Sequence, residues 1–254
     1  MREDGIAVVP FDELVGDEGL WAELEADIAE FVEATERRVP EFLARDDRKA
    51  YIVRRFPTST RFSDEPLFRM GLSERVLDVV NAYRGELTKL VALDDWYTIP
   101  TAATEARTAS QEWHRDPWDN HVVKVFTYFS DVDEEAGPFE YVKGSPAGGR
   151  YGHLWPWLNA VEEGVYPPQD ELAAAVAAED ILTVTGTAGT MIFCDTSGFH
   201  RGGWARSKPR VLSYHAYVSP SASSKQRFRV DPDWDRDELV PAARFAIAAP
   251  PKDA

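Results

Sequence analysis

The chain of 254 residues contains a single cysteine, Cys194. One thiol cannot form a disulfide within the chain, and it is too few for a zinc site built from cysteine. Any metal must therefore be bound by histidine and carboxylate side chains. Histidine is scarce as well, with five residues at positions 114, 121, 153, 200 and 215, so the possible ligand sets are few.

Positive charge is also in short supply. Lysine and arginine total 28 against 44 aspartate and glutamate residues, which gives a formal charge of -16 at pH 7. Nucleic acid and anionic membrane would be repelled by most of such a surface, so neither is expected as a partner. We expect a small-molecule partner, and no feature of the sequence implies a protein partner.

Long apolar runs are missing too. Nowhere do about 18 apolar residues follow one another, which is the length that a membrane-spanning helix needs. The first residues, MREDGIAVVPFDELV, lack the basic segment and apolar run of a signal peptide. We therefore expect a cytoplasmic protein.

The N-terminal third is predicted to be mainly helical. Apolar residues recur at spacings of three and four between Phe11 and Arg38, which is typical of an amphipathic helix, and Gly16 and Gly19 are candidates to divide it. A short strand and a loop are predicted within residues 50–70. A second helix is predicted to begin after Ser73, a residue type that commonly caps helices.

From about residue 91 the pattern changes to short β-rich segments separated by Gly, Pro and Asp. They are VALDDWYTI, QEWHRD, VVKVFTYFS, GPFEYV, DILTV, GTMIFCD, FHRGGW and RVLSYHAYV. Many short strands without intervening helices predict a β-sandwich or barrel of the jelly-roll type. We expect one domain over residues 1–254, with helices and a loop in 1–90, a jelly-roll core in 91–220 and a tail in 221–254. Residues 146–180 form a long insertion, typical of a lid.

His114 and Asp116 are a candidate pair of metal ligands. In a strand, residues two positions apart face the same side, so both could reach one ion. His200 is the candidate third ligand, because glycines around it let backbones approach closely. Two histidines and one carboxylate leave one face of an ion open, as in non-haem iron(II) oxygenases. Taken alone, the His-x-Asp pair is weak evidence, because short motifs match by chance.

Arg210 strengthens this interpretation. It begins a predicted strand ten positions after His200, and its guanidinium can pair bidentately with a carboxylate. A dicarboxylate bound to the metal at one end would present its other carboxylate to Arg210. The remaining histidines have weaker claims: His121 is predicted at a barrel rim, and His215 is predicted on the strand face opposite to Arg210.

Residues 90–218 resemble the phytanoyl-CoA dioxygenase-like family of Fe(II)/2-oxoglutarate-dependent oxygenases. The matching segments are QEWHRD, SDVDEEAGPFEYVKGSP and GFHRGGWARSKPRV, which agree with the family in order and spacing. Two departures exist: the His-to-Arg interval is one residue shorter than in the family, and KGSP stands in place of PGSH.

The resemblance implies a double-stranded β-helix (cupin-like jelly-roll) core with flanking helices. It also implies that His114, Asp116 and His200 bind Fe(II) as the catalytic centre and that Arg210 anchors 2-oxoglutarate. The implied reaction consumes O2, releases succinate and CO2, and hydroxylates or otherwise oxidises a small metabolite by hydrogen abstraction. Because Asp116 is present, hydroxylation is favoured over the halogenation carried out by relatives that lack this carboxylate.

Further residues are candidates for the pocket. Gln111 and Thr127 lie on predicted barrel strands and could hydrogen-bond the co-substrate. Arg54 could receive an anionic substrate, although an arginine on a loop is more often a solvated surface charge. The candidate aromatic contacts are Trp113, Trp118, Phe126, Phe139 and Trp204.

Two other functions remain open at this level. One is a cupin-like metal oxygenase or isomerase that does not use 2-oxoglutarate, with Arg210 binding the substrate's own carboxylate. The other is a metal-free jelly roll that binds a small ligand.

Overall fold

The computed structural model describes residues 1–45, 47, 49–56, 65–101, 107–231 and 236–248. Its strands pair in an antiparallel manner throughout. The strands are β1 (Ile6–Pro10), β2 (Ile52–Arg55), β3 (Lys89–Thr98), β4 (Val123–Tyr128), β5 (Phe139–Val142), β6 (Ile181–Val184), β7 (Thr190–Asp195), β8 (His200–Gly202) and β9 (Arg210–Val218).

Two sheets of unequal size form the core. The larger sheet has six strands in the order β1-β7-β4-β9-β3-β2, and the smaller sheet has three in the order β6-β5-β8. Their facing sides share one apolar cluster, in which the rings of Phe126 on β4 and Phe139 on β5 lie 5.0 Å apart. This is the predicted jelly roll, and the mainly β fold class with flanking helices is confirmed.

The helices within the described residues are α1 (Phe11–Leu14), α2 (Glu18–Glu36), α3 (Val39–Leu43), α4 (Pro66–Gly71), α5 (Glu74–Arg84), α6 (Trp157–Glu162), α7 (Gln169–Ala175) and α8 (Pro241–Ala246). Helices α2, α4, α5 and α8 cover the outer side of the larger sheet, whereas α6 and α7 lie in the insertion, where Leu172 of α7 packs with Val142 of β5. A buried cluster joins apolar residues of α2, α4, α5 and α8 to outward-facing residues of β4, β7 and β9. No helix within the described ranges is long and apolar enough to cross a membrane.

Two predicted helix boundaries are confirmed, one at Gly16 and one at Ser73. Gly16, at φ +65°, lies in the break between α1 and α2, whereas Gly19 is part of α2. Ser73 caps α5 by accepting a hydrogen bond from the backbone of Val76. The insertion at residues 146–180 contains α6 in addition to the predicted helix near its end, which is α7.

Strand alternation decides which residues of β4 and β9 face the interior between the sheets. On β4, Phe126 belongs to that interior while Val123 and Val125 face the helices. On β9, Leu212 faces the interior, and His215 faces the helices as predicted, with Nε2 donating to the Leu67 carbonyl at 2.7 Å. Both faces of these strands are buried, and the burial includes the charged Lys124 of β4 and Arg210 of β9.

One predicted strand is wrong. The segment QEWHRD is not a regular strand: residues Ala109–Gln111 form a 3₁₀ helix, and His114 makes an isolated bridge to His200. The backbone here is turned by Ala109, which has a φ of +50°. The common orientation of His114 and Asp116 therefore comes from tertiary pairing and not from strand alternation.

His215 makes the stability of this fold dependent on pH. Burial lowers its pKa from 6.5 to about 4, so the unfolded chain binds a proton at this residue more readily than the folded chain. Its contribution to stability is complete above pH 6.5 and is lost as the pH falls towards 4. The loss amounts to about 3 kcal/mol, at 1.36 kcal/mol per pKa unit.

We expect His215→Gln to have a shallower dependence of unfolding free energy on pH, since glutamine does not titrate and its amide can still donate to Leu67. Urea unfolding of both proteins from about pH 4 to pH 7 measures this difference. Other titrating groups are common to both proteins and cancel. Parallel pH profiles would contradict the assignment.

Candidate metal centre

His114, Asp116 and His200 lie together at one end of the space between the two sheets. Each offers one ligand atom, and these atoms lie within 4.8 Å of one another. The backbones of His114 and His200 exchange two hydrogen bonds of 3.1 Å, and the backbone of Asp116 donates to Thr196 at 2.8 Å. These bonds hold the three side chains together without any ion.

Backbone carbonyls fix the orientation of both imidazoles. Nδ1 of His114 lies 2.8 Å from the carbonyl of Glu112, and Nδ1 of His200 lies 3.0 Å from the carbonyl of Gly198. A carbonyl only accepts, so each Nδ1 carries the proton and Nε2 keeps its lone pair. Burial lowers the pKa of both histidines. They are therefore neutral, as metal ligands must be.

Asp116 supplies the negative charge of the site. Burial by itself would raise the pKa of this carboxyl, but Lys124, whose Nζ lies 2.6 Å from Asp116 Oδ2, lowers it well below the ordinary value. Two neutral imidazoles and one carboxylate match the ligand set of non-haem iron(II) sites. The residues thus fit a divalent ion with open coordination positions.

A pocket opens beside this triad and reaches Arg210. His114, His200 and Arg210 all line it, together with Lys124. Its other lining residues are the apolar Ile52, Trp96, Phe126, Phe139 and Leu212, the polar Tyr51, Ser110 and Gln111, and the glycines Gly202 and Gly203. The walls are apolar with a few polar groups, as is typical of small-molecule sites.

Arg210 is buried without a counterion. It is 4% exposed, and within the described parts of the chain its Nε and Nη1 have no hydrogen-bond partner. Burial lowers the pKa of the guanidinium, yet an arginine remains charged in proteins. Gly202 leaves it space, since a Cβ at that position would lie 3.1 Å from Nη2. An unpaired buried cation is costly, so this geometry fits a carboxylate ligand.

Several predicted contacts lie at this pocket. Gln111, Phe126 and Phe139 line it. Trp118 does not line the pocket, but its ring centre lies 4.6 Å from Nζ of the lining residue Lys124. Arg54 is at the rim, stacked over the ring of the lining residue Trp96 at 5.3 Å.

Three predicted contacts lie elsewhere, and these predictions are corrected. Thr127 alternates with Phe126 and faces the helices, where its hydroxyl lies 3.9 Å from Met70 Sδ. Trp113 packs in a separate apolar cluster under the insertion. The indole of Trp204 donates to Thr101.

His121 is also outside the metal centre. Its Nδ1 lies 2.6 Å from Asp195 Oδ2. His121 is therefore not a member of the group formed by His114, Asp116 and His200.

Three further residues at this site were not predicted from the sequence, namely Lys124, Tyr51 and Tyr166. A signal existed for Lys124: it is the single charge in the predicted strand VVKVFTYFS, and buried lysines are rare unless paired. Tyr166 belongs to the insertion, and its ring lies 5.8 Å from that of His114. Because Tyr166 and His114 are 52 positions apart, no local sequence pattern could predict their contact.

Solved structures share this fold. EctD from S. alaskensis, solved with 2-oxoglutarate and 5-hydroxyectoine, is 17% identical over 98% of this chain and 85% of its own, with a TM-score of 0.56. The epimerase SnoN, solved with Fe3+, alpha-ketoglutarate and nogalamycin RO, is 18% identical over 88% and 82%, with a TM-score of 0.52. HygX from Streptomyces hygroscopicus, solved with nickel, 2-oxoglutarate and hygromycin B, is 16% identical over 87% and 85%, with a TM-score of 0.52.

At these identities the similarity shows the fold, which is that of the jelly-roll oxygenases. The family is shown by the sequence itself, because the profile described as "Phytanoyl-CoA dioxygenase (PhyH)" matches residues 1–210. The chain belongs to the phytanoyl-CoA dioxygenase family. No curated protein sequence matches it.

Metal binding can be tested without any substrate. Ni(II) at about one hundred times its dissociation constant should stabilise the folded chain by about 2.7 kcal/mol. His200→Ala should lose this stabilisation because one of three ligands is removed. Equilibrium dialysis and thermal unfolding with and without Ni(II) measure both effects.

His153→Ala is the matched control, since His153 is exposed and lies in the insertion. It should bind Ni(II) as the wild type does. Equal loss of binding in both variants would show that the ion is held outside the triad.

Proposed function

We propose that this protein is a non-haem Fe(II)- and 2-oxoglutarate-dependent dioxygenase that hydroxylates a small molecule after hydrogen abstraction. The observation that carries the proposal is Arg210, a buried guanidinium that has no counterion among the described residues and lies in the same pocket as the His-Asp-His triad. A metal site alone would fit many chemistries. A metal site that shares its pocket with an unpaired arginine fits a dicarboxylate co-substrate.

The roles of the residues follow from their positions. His114, Asp116 and His200 would hold iron(II), and Arg210 would bind the carboxylate of 2-oxoglutarate that does not reach the metal. Iron(II) with 2-oxoglutarate and O2 supplies the oxidising chemistry, and succinate and CO2 are its by-products. Gln111, which is buried and lines the pocket, would hydrogen-bond the co-substrate.

The protein's further contribution is to exclude water. Phe126 and Phe139 form part of the inner wall, and Phe139 also lies 5.9 Å from the ring of His200. The insertion packs beside the metal centre, because Arg115 donates its backbone N–H to Val165 at 3.1 Å and the ring of Tyr166 lies 5.8 Å from that of His114. Exclusion of water protects a reactive intermediate from side reactions.

The outcome after hydrogen abstraction is set by pocket residues beyond the triad. Structures with this fold include SnoN, described as an epimerase, and SnoK, described as a carbocyclase. Hydroxylation is our proposal because Asp116 fills the ligand position that halogenating relatives leave open. HygX was solved with hygromycin B and EctD with 5-hydroxyectoine, which supports a small-molecule substrate here.

The test is anaerobic addition of iron(II) and 2-oxoglutarate, followed by O2. We expect a weak visible charge-transfer band before O2 and succinate after it. Asp116→Ala should abolish succinate formation. Wild-type turnover in that variant would contradict the ligand assignment, and iron binding without the band would favour an oxygenase or isomerase that does not use 2-oxoglutarate. Absence of both metal and band would favour a metal-free binding protein.

Arg210→Met should weaken 2-oxoglutarate binding by at least about 30-fold, because a buried charge pair is worth about 2 kcal/mol or more. Titration of the charge-transfer band measures the dissociation constant. The control is Arg206→Met, an exposed arginine between β8 and β9, which should leave this constant unchanged. Similar constants for the two variants would reject Arg210 as the anchor.

A further inference from the structure

Lys124 lines the pocket as a buried ammonium and has no role in the proposed reaction. Its side chain is 7% exposed, and Nζ lies 2.6 Å from Asp116 Oδ2. It lies on β4, two residues before the wall residue Phe126. It therefore projects to the same interior side as the metal triad.

The other neighbours of this ammonium are aromatic. Nζ lies 4.6 Å from the ring centre of Trp118 and 5.2 Å from that of Tyr214. In the described parts of the chain, Asp116 is the single carboxylate with which Lys124 forms an ion pair. Aromatic faces stabilise an ammonium but do not neutralise it.

Metal binding would leave Lys124 incompletely neutralised, because Asp116 would then share its one negative charge between the ion and Lys124. Iron(II) brings two positive charges, and Lys124 and Arg210 add one each. Asp116 contributes one negative charge and 2-oxoglutarate two, while both histidines are neutral. One positive charge is left in a buried pocket, where an uncompensated charge is costly.

We propose that Lys124 binds a carboxylate of the substrate, so that the enzyme acts on small carboxylic acids. The inference rests on the proposed function, since it assumes that metal and 2-oxoglutarate occupy the pocket. Both carboxylates of 2-oxoglutarate already have partners, one at the metal and one at Arg210. The anion that balances Lys124 is therefore the substrate's.

Arg54, near the same opening, does not compete for this anion. Its guanidinium packs over Trp96, a lining residue, and is already paired, since its Nε donates to Asp94 Oδ2 at 2.9 Å. Among the described residues that line the pocket, the lysine and arginine side chains are Lys124 and Arg210.

The test uses acetate and acetamide, which have nearly the same shape but differ in charge. The protein is loaded with Ni(II) and 2-oxoglutarate, and the intrinsic tryptophan fluorescence is followed, since Trp118 lies beside Lys124. We expect acetate to bind at least about tenfold more tightly than acetamide. Lys124→Met should remove this preference, and Lys124→Arg should keep it. Lys208→Met, an exposed lysine paired with Asp133, is the control.

Binding of Ni(II) and 2-oxoglutarate is measured first in each protein. If the wild type binds neither, the proposed function and this inference both fail. If it binds both but does not distinguish acetate from acetamide, the Lys124 inference alone is overturned. It is also overturned if Lys124→Met still prefers acetate, which would mean that acetate binds the metal.

A last comparison separates the two sources of carboxylate. Lys124→Met should keep the dissociation constant of 2-oxoglutarate within about threefold of the wild-type value, in contrast to Arg210→Met. A loss as large as that of Arg210→Met would assign Lys124 to the co-substrate and overturn the inference. With iron(II) and O2, a panel of carboxylic acids and their amides should then show succinate release stimulated by the acids.

Discussion

The two backbone hydrogen bonds between His114 and His200 are the contact on which the site depends. They join an irregular segment, which precedes β4, to β8 at the edge of the smaller sheet, and so bring together ligands 86 residues apart in the sequence. The same pairing places Asp116 next to Thr196, whose carbonyl accepts from the Asp116 backbone. Because backbone groups form these bonds, the side chains remain free to bind an ion, and their geometry is set before it arrives.

Charge is the second constraint on this pocket. The interior between two apolar sheets contains Asp116, Lys124 and Arg210, three groups that are rarely buried without partners. Asp116 and Lys124 neutralise each other, whereas Arg210 has no partner in the described residues. Such an arrangement is unfavourable for a closed apolar core but suits a site that receives charged ligands. Binding of a carboxylate at Arg210 would therefore supply the counter-charge that the described residues lack.

Much of the fold was predictable because the elements have strong local patterns. Seven of the eight β-rich segments are strands. Ser73 caps α5, as its side chain predicted, and Gly16 lies in the break between α1 and α2, as its backbone freedom predicted. The candidate metal ligands could also be predicted from the sequence, because five histidines allow few combinations. In addition, the order of His114, Asp116, His200 and Arg210 resembles that of a known oxygenase family. The prediction for Thr127 was wrong because distant residues decide which face of a strand points into the pocket. The prediction for Trp113 was wrong because packing of the insertion also depends on residues far away in the sequence. Lys124 was overlooked although its isolation in an apolar strand was visible.

The sequence by itself determined the class of fold, the available ligand types and the short set of residues able to hold a metal, because composition, periodicity and motif order are local properties. The tertiary structure decided which of these residues meet. It alone showed that the strand predicted around His114 is a single bridge, that Arg210 has no partner among the described residues and that Lys124 contacts Asp116. These facts depend on contacts between segments far apart in the chain, whose geometry arises when the two sheets pack face to face.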